Sequence, residues 1–335
     1  MALLLKDGVK VVVIVILMFA IASPAMAALY KCLDKQNRTI YQDKPCTDMT
    51  VARLPSSLSK MGAKQENRTF FWKATAGKGT LNLLGSLQYG EKAAYSLPQI
   101  VSDAFNRAEV LVVEADIQKV SAKEMFDVMQ GKGRYLDKSK LEDHIKPGTW
   151  KKTTELAKQL GVDEESLQLA KPWLAALMLN AQYLSQQGYK SEFSVDTLLI
   201  QQAQGKKTII EMENLEAEID LIDQFPEPEQ EQMLLHTLKQ LSKGEEYHRN
   251  NINAWEEGDA EAMDLIVRQS FDPGQLGSKL YKTFLIDRNE RMANRLVDLA
   301  NDGRTYFVVL GADHLGGEKG ILKLLGQKGF TITQP

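Results

Sequence analysis

Apolar residues recur in two different periods along residues 69–335, and the change of period marks where strands give way to helices. Continuous or alternating apolar runs at 69–74, 80–84, 110–114, 208–212, 306–310 and 330–333 predict strands. The first two flank Ala76-Gly77-Lys78-Gly79, a hairpin signal. From residue 122 to near 241 the spacing is three and four, as in Leu167, Ala170, Leu174, Leu177 and Leu184, so this middle reads as mostly helical, interrupted by the strand at 208–212. A further helix is predicted over 321–328. Strands alternating with helices predict an α/β (α+β) fold, a mixed central sheet with flanking helices.

A different pattern precedes this domain. Lys6 and Lys10 lead into an apolar run at 11–22, and Ala25-Met26-Ala27 offers small residues for cleavage, so residues 1–27 read as a secretory signal. The run is shorter than the roughly 20 apolar residues a spanning helix needs. The expectation is an exported protein, periplasmic or secreted, with no transmembrane helix in the mature chain. Residues 28–49 carry short aromatic and β-branched runs around a turn near 35–37, a small hairpin module. Residues 50–67, polar with Pro55 and Gly62, read as a linker to a main domain at 68–335.

Export changes what the two cysteines mean. Cys32 and Cys46 both follow the signal, and in an oxidising compartment a closely spaced pair is most simply a disulfide. A net charge of −3 argues against nucleic acid as a partner. A peptide or small molecule of the cell envelope remains as the expected substrate or ligand. With four histidines, His144, His236, His248 and His314, little material exists for an all-histidine metal site.

Two stretches echo each other: LLGSLQYG at 83–90 and LGADHLGG at 310–317. Both follow apolar runs and read Gly-x-x-polar-x-Gly, with Gln88 where the later copy has His314. Each stretch alone fits an ordinary strand-to-helix turn. As a pair they fit the strand ends where α/β proteins bind ligands, with Asp313 beside His314. Glu114 ends the strand at 110–114, and Glu211 and Glu213 alternate with Ile210 and Met212, which in a strand puts both acids on one face. These acids either solvate an edge or converge as ligands and proton acceptors. Arg288 shares the apolar side of a helix with Leu285, Met292 and Leu296, so it needs an anionic partner. That partner is a structural acid, a substrate oxyanion or a catalytic carboxylate.

In order and approximate spacing, Gly85-Ser86-Leu87-Gln88, Leu97-Pro98, Glu114, Gly188-Tyr189 with Val195-Asp196, Glu213, Arg288-Asn289 with Met292, and Gly311-Ala312-Asp313-His314 with Gly316-Gly317 resemble the TraB/PrgY/GumN family, within the superfamily of the Tiki proteases. The resemblance implies two converging Gly-x-x-His loops over one cleft and a metal-dependent hydrolase of peptidase or esterase type. It implies His314, Glu114 and Glu213 as metal ligands or catalytic base, with Mn, Co or Zn as the ion. Arg288 is then a partner to an oxyanion or carboxylate, and Gln88, Asn289 and Asp313 are substrate-binding. Gln88 departs from the pattern: its neutral amide is at most a weak ligand and takes up no proton near neutral pH. The alternative is a pseudoenzyme, a non-catalytic envelope binding protein using the same cleft. Residues Tyr30-Lys31-Cys32 and Tyr41, Asp43, Pro45 and Cys46 resemble a second family, a Cys-pair module of unknown function found after signal peptides.

Overall fold

A computed structural model describes residues 30–33, 39–42, 52–53 and 69–335, except 78, 88, 91–96, 117, 121, 243–244 and 272–274. Residues 1–27, expected to be a secretory signal, together with Cys46 and Gln88, therefore lie outside the described residues. Among the described residues, no helix is long and apolar enough to cross a membrane.

Strands β1 (Tyr30–Leu33) and β2 (Thr39–Gln42) pair antiparallel as a hairpin, with Tyr30 opposite Gln42. A short strand β3 (Ala52–Arg53), inside the stretch read as a linker, pairs with the other edge of β1.

The main domain is built on a mixed six-stranded sheet: β4 (Phe71–Ala76), β5 (Gly79–Ser86), β6 (Val110–Val113), β7 (Thr208–Glu211), β8 (Thr305–Gly311) and β9 (Thr331–Thr333), ordered β7-β6-β8-β5-β4-β9. All six lie within a residue or two of the predicted runs. β7, β6, β8 and β5 are parallel, whereas β4 is antiparallel to both β5 and β9. The late strand β8 inserts between β5 and β6. A parallel neighbour cannot be joined by a tight turn, so the helical middle of the chain serves as the crossover.

Side chains alternate across the sheet with a period of two. Leu111, Val113, Phe307 and Val309 face the helices Gln99–Arg107 and Val195–Ala203, packing on Val101, Phe105, Leu199 and Ile200. Val110, Val112, Tyr306, Val308 and Leu310 face the opposite layer, whose helices include Pro172–Gln186, Asp287–Ala300 and Ile321–Gln327. Burial on both faces explains why β6 and β8 read as continuous apolar runs rather than alternating ones.

Register then fixes the site. Gly85 lies beside Leu310 and Ser86 beside Gly311, while Val113 sits between Val309 and Glu211. The C-terminal ends of the four parallel strands lie at one edge of the sheet, β6 and β7 ending level with Val309 and β5 and β8 running on to Ser86 and Gly311, and polar groups gather there.

Candidate functional site

Glu114 is the first residue past β6, and a backbone bond ties it to the segment just after β7: the Glu213 N–H donates to the Glu114 carbonyl at 2.8 Å. That bond holds the two side chains side by side. The Gly311 N–H at the end of β8 donates to Glu114 Oε2 at 2.7 Å, so the carboxylate is anchored to the second glycine loop. A Cβ on Gly311 would sit 2.4 Å from Asp313 Oδ1 and 3.3 Å from Glu114 Oε2, which explains the glycine.

Arg288 enters from the helix Asp287–Ala300, which follows a π-helical turn, Lys282–Ile286. Its side chain is 2% exposed. Nη2 donates to Glu114 Oε1 at 3.0 Å and to Glu218 Oε1 at 3.2 Å, and Nε donates to Glu213 Oε2 at 2.7 Å. Nη2 also bonds Glu213, and Nη1 donates to the Phe284 carbonyl at 3.5 Å. The guanidinium thus has its partners within the protein, and its charged partners are carboxylates. Of the readings open from the sequence, it orients carboxylates.

Three carboxylates share one guanidinium, and their ligand atoms lie within 4.8 Å of one another. Burial pushes the Glu218 carboxyl up to about 8, with Glu114 and Glu213 adding repulsion against the pull of Arg288. Burial also works to raise Glu114, but His314, Arg288 and the Gly311 N–H outweigh it and hold that carboxyl near 2. For Glu213 the pull of Arg288 likewise overcomes burial and lowers it. The cluster divides into two ionised acids and one that keeps a proton at neutral pH.

His314 is fully buried at the foot of the second glycine loop. Its Nδ1 lies 2.5 Å from Asn289 Oδ1, and the Asn289 Nδ2 donates to the Lys319 carbonyl at 2.9 Å. Its Nε2 lies 3.2 Å from Glu114 Oε1, an ion-pair distance, but without the alignment of a hydrogen bond. Burial opposes charge on the ring, yet Asp313 and Glu114 together raise its pKa. Asp313 itself is raised, by burial first and then by Glu114.

The first glycine loop is braced on both sides. Ser86 Oγ donates to the Asp196 carboxylate, and Trp255 Nε1 donates to the Gly85 carbonyl at 2.7 Å. Burial, reinforced by the charge of Glu114, pushes Asp196 up to about 6 against the Ser86 hydrogen bond.

A family model for the TraB/PrgY/gumN family matches residues 70–334, a stretch that includes both glycine loops and the whole six-stranded sheet. The chain belongs to this family. TraB/PrgY/gumN relatives include the uncharacterized protein YbaP of Escherichia coli (strain K12), 24% identical over 250 residues, 74% of this chain and 89% of the relative. YbaP of Shigella flexneri is 24% identical over 245 residues, 73% and 87% of the two chains. An uncharacterized protein of Treponema pallidum (strain Nichols) is 19% identical over 297 residues, 84% and 86%. No solved structure matches the chain.

Within this TraB/PrgY/gumN domain, Glu114, Glu213, Arg288 and His314 come together as one connected cluster. Glu211 does not join them. β7 ends at Glu211, so strand alternation does not carry on to Glu213, and Glu211 instead pairs with Lys119 at 3.0 Å. Glu218 escaped the sequence reading. Its signal was its place in the helix Leu215–Asp223, one residue before buried Ile219 and one turn before buried Ile222.

A second polar constellation lies elsewhere: His144 Nε2 is 2.7 Å from Ser139 Oγ, and Nδ1 is 2.8 Å from Glu227 Oε1. This has the order of a hydrolytic triad, but the Ser139 N–H is bonded to Asp137 and the Lys140 N–H to Asp143. Neither amide is left to stabilise an oxyanion. The His144–Glu227 contact ties the short helix Leu141–His144 to the helix Glu227–Ser242.

Proposed function

We propose that this TraB/PrgY/gumN protein is an exported, metal-dependent hydrolase of amide or ester bonds in the cell envelope. The observation that carries the reading is the buried His314 Nε2, 3.2 Å from Glu114 Oε1 and without an aligned hydrogen bond. Two donors that share an ion at about 2.0–2.2 Å each lie about 3 Å apart, so this spacing fits a ligand edge. The donor set of one imidazole with carboxylates suits Mn, Co or Zn. His314 and Glu114 would hold the ion, with Glu213 beside them. Gln88 can add at most a weak amide oxygen.

A bound divalent ion supplies Lewis acidity and lowers the pKa of a water. The chain's own residues do the rest. Glu213 Oε2 is tied to Arg288, whereas Oε1 meets the exposed Arg291 at 3.4 Å and the carboxyl also bonds Glu218, so Oε1 is the atom assigned to take a proton. Arg288 holds the carboxylates in register rather than meeting the substrate. Glu218 keeps its proton in reserve behind them.

The position of Arg288 also supports a second reading. Its Nη2 already lies within 3.2 Å of all three carboxylates and neutralises part of their charge. With Gln88 in place of the first histidine, such a cluster suits a pseudoenzyme that binds an envelope peptide or small molecule without turnover.

Metal analysis after loading with Mn²⁺, Co²⁺ or Zn²⁺ tests the first reading. Wild type is expected to retain an ion stoichiometrically, and His314→Ala to lose it. No ion in either protein sinks the hydrolase. Gln88→His separates the two readings: hydrolysis of a peptide and ester panel only in the variant makes the wild type a binder, while equal turnover in both removes that alternative.

A further inference from the structure

Arg288 and Asn289 are neighbours on one helix, yet they serve different halves of the site. The Arg288 guanidinium goes to the carboxylates at the ends of β6 and β7, and the Asn289 amide goes to the second glycine loop. Asn289 is 3% exposed, and both ends of its amide are used.

The orientation of that amide follows from its far partner. A backbone carbonyl only accepts hydrogen bonds, so the group facing Lys319 O at 2.9 Å must be the NH₂. The end facing His314 is therefore Oδ1, which has no proton to give. A 2.5 Å contact between Oδ1 and Nδ1 is attractive only if the ring nitrogen carries the hydrogen. In the neutral ring this leaves Nε2 with a bare lone pair, 3.2 Å from Glu114 Oε1 though not aimed squarely at it. Two acceptors this close inside the protein repel unless a positive species, a proton or a metal ion, is shared beside them.

We propose that Asn289 is a positioning residue that keeps the proton of His314 on Nδ1, so that Nε2 is presented as the electron-pair donor beside Glu114. The Lys319 carbonyl fixes Asn289, Asn289 fixes the imidazole, and the imidazole fixes where a cation is received. Partners of this kind, one step behind a ligand, govern ligand orientation and basicity. The tautomer itself does not depend on whether an ion binds.

Long-range ¹H–¹⁵N spectra of the full chain, with His314 assigned from a His314→Gln variant, read the tautomer directly. The expected wild-type pattern has a protonated Nδ1 in every ionic form of the ring. In Asn289→Ala the neutral ring is expected to move toward the Nε2–H tautomer, and Asn289→Asp, which keeps an acceptor oxygen, is expected to restore the Nδ1–H pattern. A wild-type ring with unprotonated Nδ1, or an Asn289→Ala spectrum identical to wild type, overturns the proposal. Should Asn289→Ala fail to fold, the wild-type spectrum alone decides. Adding Zn²⁺ is expected to shift Nε2 selectively in wild type, with about 10–100-fold weaker binding in Asn289→Ala. Failure of Zn²⁺, Mn²⁺ and Co²⁺ alike to bind while the Nδ1–H pattern persists removes the hydrolase reading and leaves this one standing.

Discussion

Glu218 Oε1 lies 3.2 Å from Arg288 Nη2, a contact that joins the helix Leu215–Asp223 to the helix Asp287–Ala300 inside the protein. It adds a third acid to a guanidinium that Glu114 and Glu213 already engage.

Removing the guanidinium should therefore be far worse than neutralising that third acid. Arg288→Ala leaves buried carboxylates uncompensated and is expected to destabilise the fold by about 3–5 kcal/mol. Glu218 already holds a proton at neutral pH, so Glu218→Gln is close to isosteric and isoelectronic and is expected to change stability by about 1 kcal/mol or less at pH 7. Urea unfolding of both variants measures the contrast, and equal losses would contradict it.

Asp196 gives a pH signature. Its carboxyl is raised from 3.8 to about 6, so the folded protein binds the proton more tightly than the unfolded chain does. Its stabilising contribution is complete below about pH 4 and is lost as pH rises through about 6. The stability of wild type relative to Asp196→Asn should fall across that window and stay level above it. The side chain keeps some solvent contact, so the expected fall is about 1–2 kcal/mol rather than the full equivalent of the shift. Chemical denaturation at several pH values reads it.

Glycine substitutions at the second loop should separate by what lies beyond them. A Cβ on Gly316 would fall 1.8 Å from the Ala260 carbonyl oxygen, a backbone atom that cannot move aside, whereas at Gly326 nothing lies within 4 Å. Gly316→Ala is expected to lower stability by about 1–3 kcal/mol. Gly326→Ala, within the helix Ile321–Gln327, is expected to raise it by about 0.4–1 kcal/mol through the unfolded state. Thermal unfolding of the pair gives the signs.

The brace on the first glycine loop is open to test. Trp255→Phe removes the N–H that Gly85 accepts at 2.7 Å, together with part of the packed bicyclic ring. A loss of at least about 1 kcal/mol is expected, the usual net value of one hydrogen bond, with the lost packing added to it. A stability unchanged within 0.3 kcal/mol, about a third of that value, would mean that the loop finds another donor.

The sequence by itself determined the elements and much of the chemistry. Runs such as VLVV at 110–113 and YFVVL at 306–310 can hardly be anything but strands buried on both faces, because water would otherwise meet every side chain. Leu285, Met292 and Leu296 placed Arg288 on the inner side of its helix before any contact was known, since helical spacing is a local property. The order of motifs along the chain pointed to the TraB/PrgY/gumN family. Which acids meet Arg288 was a different matter. Glu211 and Glu213 differ by two positions, yet one pairs with Lys119 and the other with Arg288, because the strand ends between them. Glu218 joins them through a helix packed from outside the sheet. The insertion of β8 between β5 and β6 brings His314 to Glu114, and the Lys319 carbonyl orients Asn289 behind it. Those relationships belong to tertiary structure alone, because they depend on which distant segments share a strand edge, and local periodicity carries no record of that choice.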